Sequence, residues 1–127
     1  VPKPEYCVEL PSITAGEDTP VHALLRSASR PTAIVVSDDI LALTLERICT
    51  ETGLSIPADL SILSFNNSLF ARLTSPQLTS INSCQLGMEA AAQMISHIEN
   101  PGLPATKILV PHQLIERDSC ARPASHE

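Results

Sequence analysis

Aromatic side chains are nearly absent from this chain, which has no tryptophan, one tyrosine (Tyr6) and two phenylalanines (Phe65 and Phe70). The core drawn from its 43% hydrophobic residues must therefore be aliphatic. Glycine is scarce too: four residues, at 16, 53, 87 and 102, none closely spaced. That excludes a glycine-rich phosphate loop. Eight Lys and Arg stand against fourteen Asp and Glu, a net charge of −6 with no basic cluster, so these residues offer no face for direct DNA contact. The four cysteines (7, 49, 84 and 120) and the four histidines are scattered. They form no Cys-x-x-Cys, no zinc set and no Cys–His pair at a nucleophile's spacing, so no metal and no cofactor are expected. Cys7 and Cys49 sit inside apolar strand and helix patterns and read as small buried hydrophobes in a reducing compartment, ahead of a disulfide framework. No apolar run approaches the ~18 residues of a membrane span and no signal peptide is visible, which predicts a cytoplasmic protein with no membrane partner. A chain of 127 residues starting at Val1 reads as one domain, or a processed piece of one.

What is present centres on residues 31–53, PTAIVVSDDILALTLERICTETG from Pro31 onward. Ala33-Ile34-Val35-Val36 is too short for a helix and β-branched enough for a buried strand. Ser37-Asp38-Asp39 makes a tight acidic turn. Leu41, Leu45 and Ile48 then recur at helical spacing, with Glu46, Arg47 and Glu51 on the other side and Gly53 at the C-cap position. In an open α/β sheet the turn at a strand's carboxyl end is where ligands bind. Asp38 and Asp39 are the first candidates.

The flanking pattern repeats the alternation. Residues 6–10 predict a strand. Thr19-Pro20 predicts an N-cap and a first helix with Val21, Leu24 and Leu25 on its apolar stripe. Residues 60–65 predict a second strand ending in Asn66-Asn67-Ser68, and residues 69–73 one helical turn. A short strand follows at 78–81, then a clean helix over 86–99 with Leu86, Ala90, Met94, Ile95 and Ile98 on one face. The last strand, 107–117, is interrupted by Pro111, and residues from Asp118 on read as a loose tail. Strands and helices at this spacing predict an α/β fold: three layers, a mostly parallel sheet and flanking helices. They also place Asp38 and Asn66 on one rim.

An aspartate pair alone carries no catalysis without a Ser, His or Lys constellation, and none accompanies it, so no enzyme is expected. One of the two aspartates caps the helix. Asn66 and Asn67 are turn formers, and their amides, each donor and acceptor, suit a hydroxyl-rich ligand. Arg117, in Glu116-Arg117-Asp118-Ser119, reads as a structural ion pair. His22 and His97 read as surface residues.

The blocks PTAIVVSDDILAL, IPADLSILSFNN, SPQLTSI, QLGMEAAAQMI and ILVPHQLIERDS follow one another in the order and spacing of the lactose/galactose repressor (LacI/GalR) family. The chain resembles that family's periplasmic-binding-protein-like effector core over residues 5–123, and its Ser-Phe-Asn-Asn strand end is most similar to the maltose-operon repressor branch. The resemblance implies a C-terminal subdomain over 5–81 lacking its first strand and helix. It implies a crossover and a helix over 82–104 that pack in the other subdomain, a returning strand over 105–120, and a tail over 121–127. It implies effector contacts at Asp38 and Asn66, with acid and amide exchanged relative to the common pattern, and Asp39 as the helix cap. The crossover at Asn82-Ser83-Cys84-Gln85 is about two residues shorter than is usual in the family. The implied function is the effector-sensing, dimerising part of a transcriptional repressor, its ligand a sugar such as maltose or a maltodextrin. DNA would then be reached only through an N-terminal headpiece that this chain does not contain. A fragment of a transport sugar-binding protein is the alternative with the same fold. The missing secretory signal, the reduced-type cysteines and the ILVPHQLIERDS block favour the repressor.

Overall fold

The computed structural model describes Pro4, residues 7–9 and residues 20–122. Its elements run α1 (Pro20–Arg26), β1 (Ala33–Val35), α2 (Asp39–Thr52), β2 (Ser61–Phe65), α3 (Leu69–Leu73), β3 (Thr79–Asn82), α4 (Cys84–Glu99) and β4 (Gln113–Ile115). The sheet order is β1-β2-β3-β4. The first three strands are parallel and β4 is antiparallel to β3, so the sheet is mostly parallel with flanking helices, as the alternation predicts. Of the strand expected over residues 6–10, only 7–9 are described, and they join no ladder. The Thr19 cap and residues 123–127 lie outside the described residues.

Local chemistry sets the element ends. Asp38 caps α2 and a left-handed Gly53 (φ 74°) closes it, with the Gly53 and Leu54 N–H groups returning to Thr50 and Cys49 carbonyls. Pro111 has no N–H to donate, and the strand expected over 107–117 shrinks to Gln113–Ile115, leaving residues 104–111 outside every ladder. The core lies between one face of the sheet and the helices α1 to α3: Val21 and Leu25, Ala42, Leu45 and Ile48, Leu60 and Ile62, Ala71 and Leu78 are all buried. Burial of each large aliphatic side chain contributes roughly 1.5–3 kcal/mol, which an aromatic-poor chain needs from many positions.

Three sequence expectations change. His22 is buried, not on the surface, because its ring meets Glu51 Oε2 at 3.2 Å and fits between α1 and α2. Cys7 is exposed while Cys49 is buried, and all four cysteines are free thiols. Of the expected loose tail, the described residues 118–122 are tied to the sheet. Ser119 is fully buried, its hydroxyl donating to Ile62 O (2.6 Å) and accepting from Thr79 N–H (2.8 Å), so it ties β2 to β3. Helix α4, by contrast, has no buried residue, and Leu86, Met94 and Ile98 stand 51%, 67% and 71% exposed, leaving its apolar face open.

Glu46 on α2 carries a testable consequence. Its Oε1 is shielded from solvent and has no hydrogen-bond partner among the described residues. Burial pushes its carboxyl up from 4.5 to about 7. A raised folded pKa means that the folded chain holds a proton the unfolded chain releases. Its stabilising contribution is therefore complete below the ordinary value and is lost as pH rises through about 7. Glu46→Gln should stabilise the fold at about pH 8 by roughly 1–2 kcal/mol, after allowance for solvent screening, and change little at about pH 4. Urea unfolding at both pH values reads this directly. Equal effects at the two would show that the carboxylate is solvated in the fold.

Candidate functional site

The carboxyl ends of β1, β2 and β3 form one rim. Val35 pairs with Leu63 and Phe65 with Ile81, so Asp38, Asn66 and Asn82 continue neighbouring strands in matching register. The next strand adds Gln113, which pairs with Asn82. Asn66 is exposed and its Oδ1 accepts from Ser83 Oγ at 3.5 Å. A small cavity of about 180 Å³ opens beside them, lined by Asn82, Cys84, Gln85, Pro111, His112 and Gln113. A larger cavity, about 830 Å³, lies instead beside β1 at the edge of the described sheet and is mostly apolar in lining. The groups suited to a hydroxyl-rich ligand are on the rim: amides, which donate and accept, and a carboxylate, which accepts.

The helix cap falls on the other aspartate from the one expected. Asp38, not Asp39, is the cap: it has extended backbone, and its Oδ1 accepts from Leu41 N–H at 2.8 Å. Its carboxylate is half-buried and reaches the rim as well. Asp39 points inward and is only 1% exposed. Oδ1 accepts from Ser64 Oγ (2.5 Å) and Ser80 Oγ (2.9 Å), and Oδ2 accepts from Ser68 N–H (2.6 Å). Burial opposes its ionisation, but the hydrogen bonds from Ser64, Ser68 and Ser80 outweigh it and hold the carboxyl below the ordinary value. The correction has a simple cause. The first turn of a helix beginning at Asp39 leaves the Leu41 N–H for the preceding residue, while Asp39 itself already faces the sheet.

Asp39 therefore supports the rim from beneath. Ser80 Oγ, held by Asp39, accepts from Asn67 N–H at 3.0 Å. Arg117 closes the same turn from the other side, donating to Asn67 Oδ1 and to Leu78 O, both at 2.6 Å. Arg117 is thus structural, but through neutral acceptors; it makes no ion pair among the described residues. The turn it holds is left-handed at two non-glycine residues, Asn66 (φ 90°) and Asn67 (φ 46°). Asparagine tolerates this region better than most side chains, which is the signal the Asn-Asn pair carries in sequence. Ser64 and Ser80 give no such signal, since a serine inside a strand reads as a mere interruption. Asn82, Ser83 and Gln113 join the rim only through strand order.

The model of the periplasmic binding protein-like domain matches residues 3–120. The HTH-type transcriptional repressor PurR of Pectobacterium carotovorum subsp. carotovorum is 35% identical over 103 residues, 80% of this chain and 30% of that protein. The solved structure of a LacI transcriptional regulator from Bacillus cereus subsp. cytotoxis is similar at TM-score 0.74 and 36% identity, over 80% of this chain and 37% of that one. A LacI family transcriptional regulator from Enterococcus faecium, solved with bound ribose, follows at TM-score 0.69 and 32% identity, over 80% and 38%. A mostly parallel sheet with flanking helices and a polar rim at its strand ends is the architecture of a periplasmic-binding-protein-like domain. The chain belongs to the periplasmic binding protein-like domain family, and the relatives and structures it matches are LacI-type transcriptional regulators. It spans about 30% of the length of the curated relatives it matches. These matches do not single out the maltose-operon branch.

Proposed function

We propose that this chain supplies one wall of the effector site in a LacI-type transcriptional repressor, and that the effector is a sugar. The observation that carries the reading is the rim itself: Asp38, Asn66, Asn82 and Ser83 at adjacent strand ends, with Asn66 presented by a left-handed turn. Asp38 and Asn66 are the effector contacts, and Asp39 and Arg117 position them. Relatives that are transcriptional regulators, one of them holding ribose, support a regulator over a transport protein and over an enzyme. The protein is read as a cytoplasmic homodimer that reaches DNA through a headpiece outside this chain. Its net charge of −6 agrees with that division of labour.

A single wall leaves a sugar half in water. Neutral hydrogen bonds contribute only ~0.5–1.5 kcal/mol each, while immobilising the ligand costs at least ~4 kcal/mol. Calorimetric titration should therefore show millimolar or undetectable affinity for ribose and maltose on this chain. Binding should be far tighter in a longer protein that closes the cleft over the same rim. In gel shifts at low salt the chain alone should give no sequence-dependent shift. Micromolar sugar binding by the chain alone, or none by the closed protein across pentoses and maltodextrins, would overturn the reading.

A further inference from the structure

We propose that Ser80 is a positioning residue for the effector: its hydroxyl, oriented by the buried Asp39 carboxylate, anchors the Asn67 N–H and so holds Asn66 in the geometry that presents its amide on the rim. The inference rests on the reading of Asn66 as an effector contact. The turn after β2 needs such an anchor, because Asn66 and Asn67 both have positive φ, 90° and 46°. Outside glycine, a left-handed backbone is disfavoured roughly tenfold per residue. Asparagine tolerates it better, but two in succession are not held by local preference alone. What holds them lies beneath the turn. Three successive N–H groups are tied down there: Asn66 donates to Ile81 O at 2.9 Å, Asn67 to Ser80 Oγ at 3.0 Å and Ser68 to Asp39 Oδ2 at 2.6 Å. With its amides fixed on that side, the turn leaves Asn66 exposed on the other.

The middle bond depends on which way the Ser80 hydroxyl faces. A hydroxyl has one proton to give and accepts on its lone pairs. The Asp39 carboxylate only accepts, so the Ser80 proton goes to Oδ1 at 2.9 Å and the oxygen is left to accept the Asn67 N–H. A charge under the rim thus fixes the direction of the hydrogen bond that reaches the turn. Ser64 is the natural control. It is as fully buried as Ser80 and donates to the same Oδ1, at 2.5 Å. Its other neighbour is Thr79 O at 3.5 Å, and among the described residues it makes no bond to the turn. Arg117 holds the Asn67 side chain through Oδ1 and leaves the N–H to Ser80. A structural serine and a positioning serine therefore share one carboxylate.

Two measurements tell the serines apart. Hydrogen exchange on this chain should find the Asn67 amide protected in wild type and in Ser64→Ala, and fast in Ser80→Ala. The second is calorimetric titration of a longer protein that closes the cleft, with ribose, other pentoses and maltodextrins. There Ser80→Ala should bind about tenfold more weakly than wild type, the left-handed bias of one residue. Ser64→Ala should lose far less, although it gives up a bond to the same carboxylate. Ser80→Thr keeps the hydroxyl on a side chain suited to a strand, and should restore both protection and affinity. Ser80→Cys, close in shape but a weaker acceptor, serves if the alanine variant unfolds. A wild-type protein that binds none of these sugars would overturn the effector reading, and the role of Ser80 with it. Where wild type does bind, three results would overturn this inference alone: equal losses in Ser80→Ala and Ser64→Ala, an Asn67 amide as slow in Ser80→Ala as in wild type, or a threonine variant as weak as the alanine one.

Discussion

Asp39→Ala is expected to cost the fold about 3–5 kcal/mol, the largest single-residue loss in the chain's core. The substitution removes the acceptor of three hydrogen bonds from Ser64 Oγ, Ser80 Oγ and Ser68 N–H, and leaves those donors in a site that is sealed from water. Stranding buried donors costs ~1–3 kcal/mol each, partly relieved here because Ser64 Oγ also reaches Thr79 O at 3.5 Å. A total loss of about 3–5 kcal/mol is expected. Domains of this size hold only about 5–15 kcal/mol in all. Asp39→Asn keeps the shape, and its amide can still accept from Ser68 N–H, so it should cost about half as much. The pH dependence separates charge from packing. Because the Asp39 carboxyl is held below its ordinary value, its contribution is present above that value and is lost as pH falls through the folded one. Urea unfolding across the acid range should show a steeper loss in wild type than in Asp39→Asn. Matching acid profiles, or an alanine variant as stable as wild type, would mean that the serine cluster needs no anion.

Asn66→Gly is expected to abolish the effector response while leaving stability nearly unchanged, in a protein that closes the cleft over this rim. Asn66 has a φ of 90°, where alanine is strained and glycine is not. Alanine at this position would therefore mix lost contacts with a backbone penalty of about 1 kcal/mol. Asp38 calls for the same care, since it caps α2 through Leu41 N–H. Asp38→Ala should lose ~1 kcal/mol of helix stability, whereas Asp38→Ser retains a capping oxygen and removes only the carboxylate. Loss of one contact group in a closed cleft should weaken the effector by about tenfold or more, roughly 1.4 kcal/mol. Calorimetric titration paired with thermal melts decides it. Wild-type affinity in both Asn66→Gly and Asp38→Ser would place the site elsewhere on the rim.

Arg117→Lys illustrates why sequence and structure divided the site between them. The sequence marks Arg117 as structural because it lies among charges, but its actual partners are Leu78 O and Asn67 Oδ1, roughly forty and fifty positions away in the chain. Lysine cannot reach both at once, since it lacks the planar fork. The same distance hides Asp39's serines, and it hides His22, whose helical pattern says nothing of Glu51 across α2.

Local chemistry alone determined the strand–turn–helix unit of β1 and α2, its Gly53 stop, the polar turns at Asp38 and Asn66, and the apolar face of α4. Each rests on periodicity, capping or turn preference within a few residues. Tertiary structure alone decided which aspartate caps and which is buried, that Asn82, Ser83 and Gln113 share the rim, and that Ser119 is a core residue. It also placed β1 at the edge of the described sheet. The physical reason is that a buried hydrogen bond is set by which strands lie side by side. Strand order depends on contacts between residues far apart in sequence, and no local pattern records it.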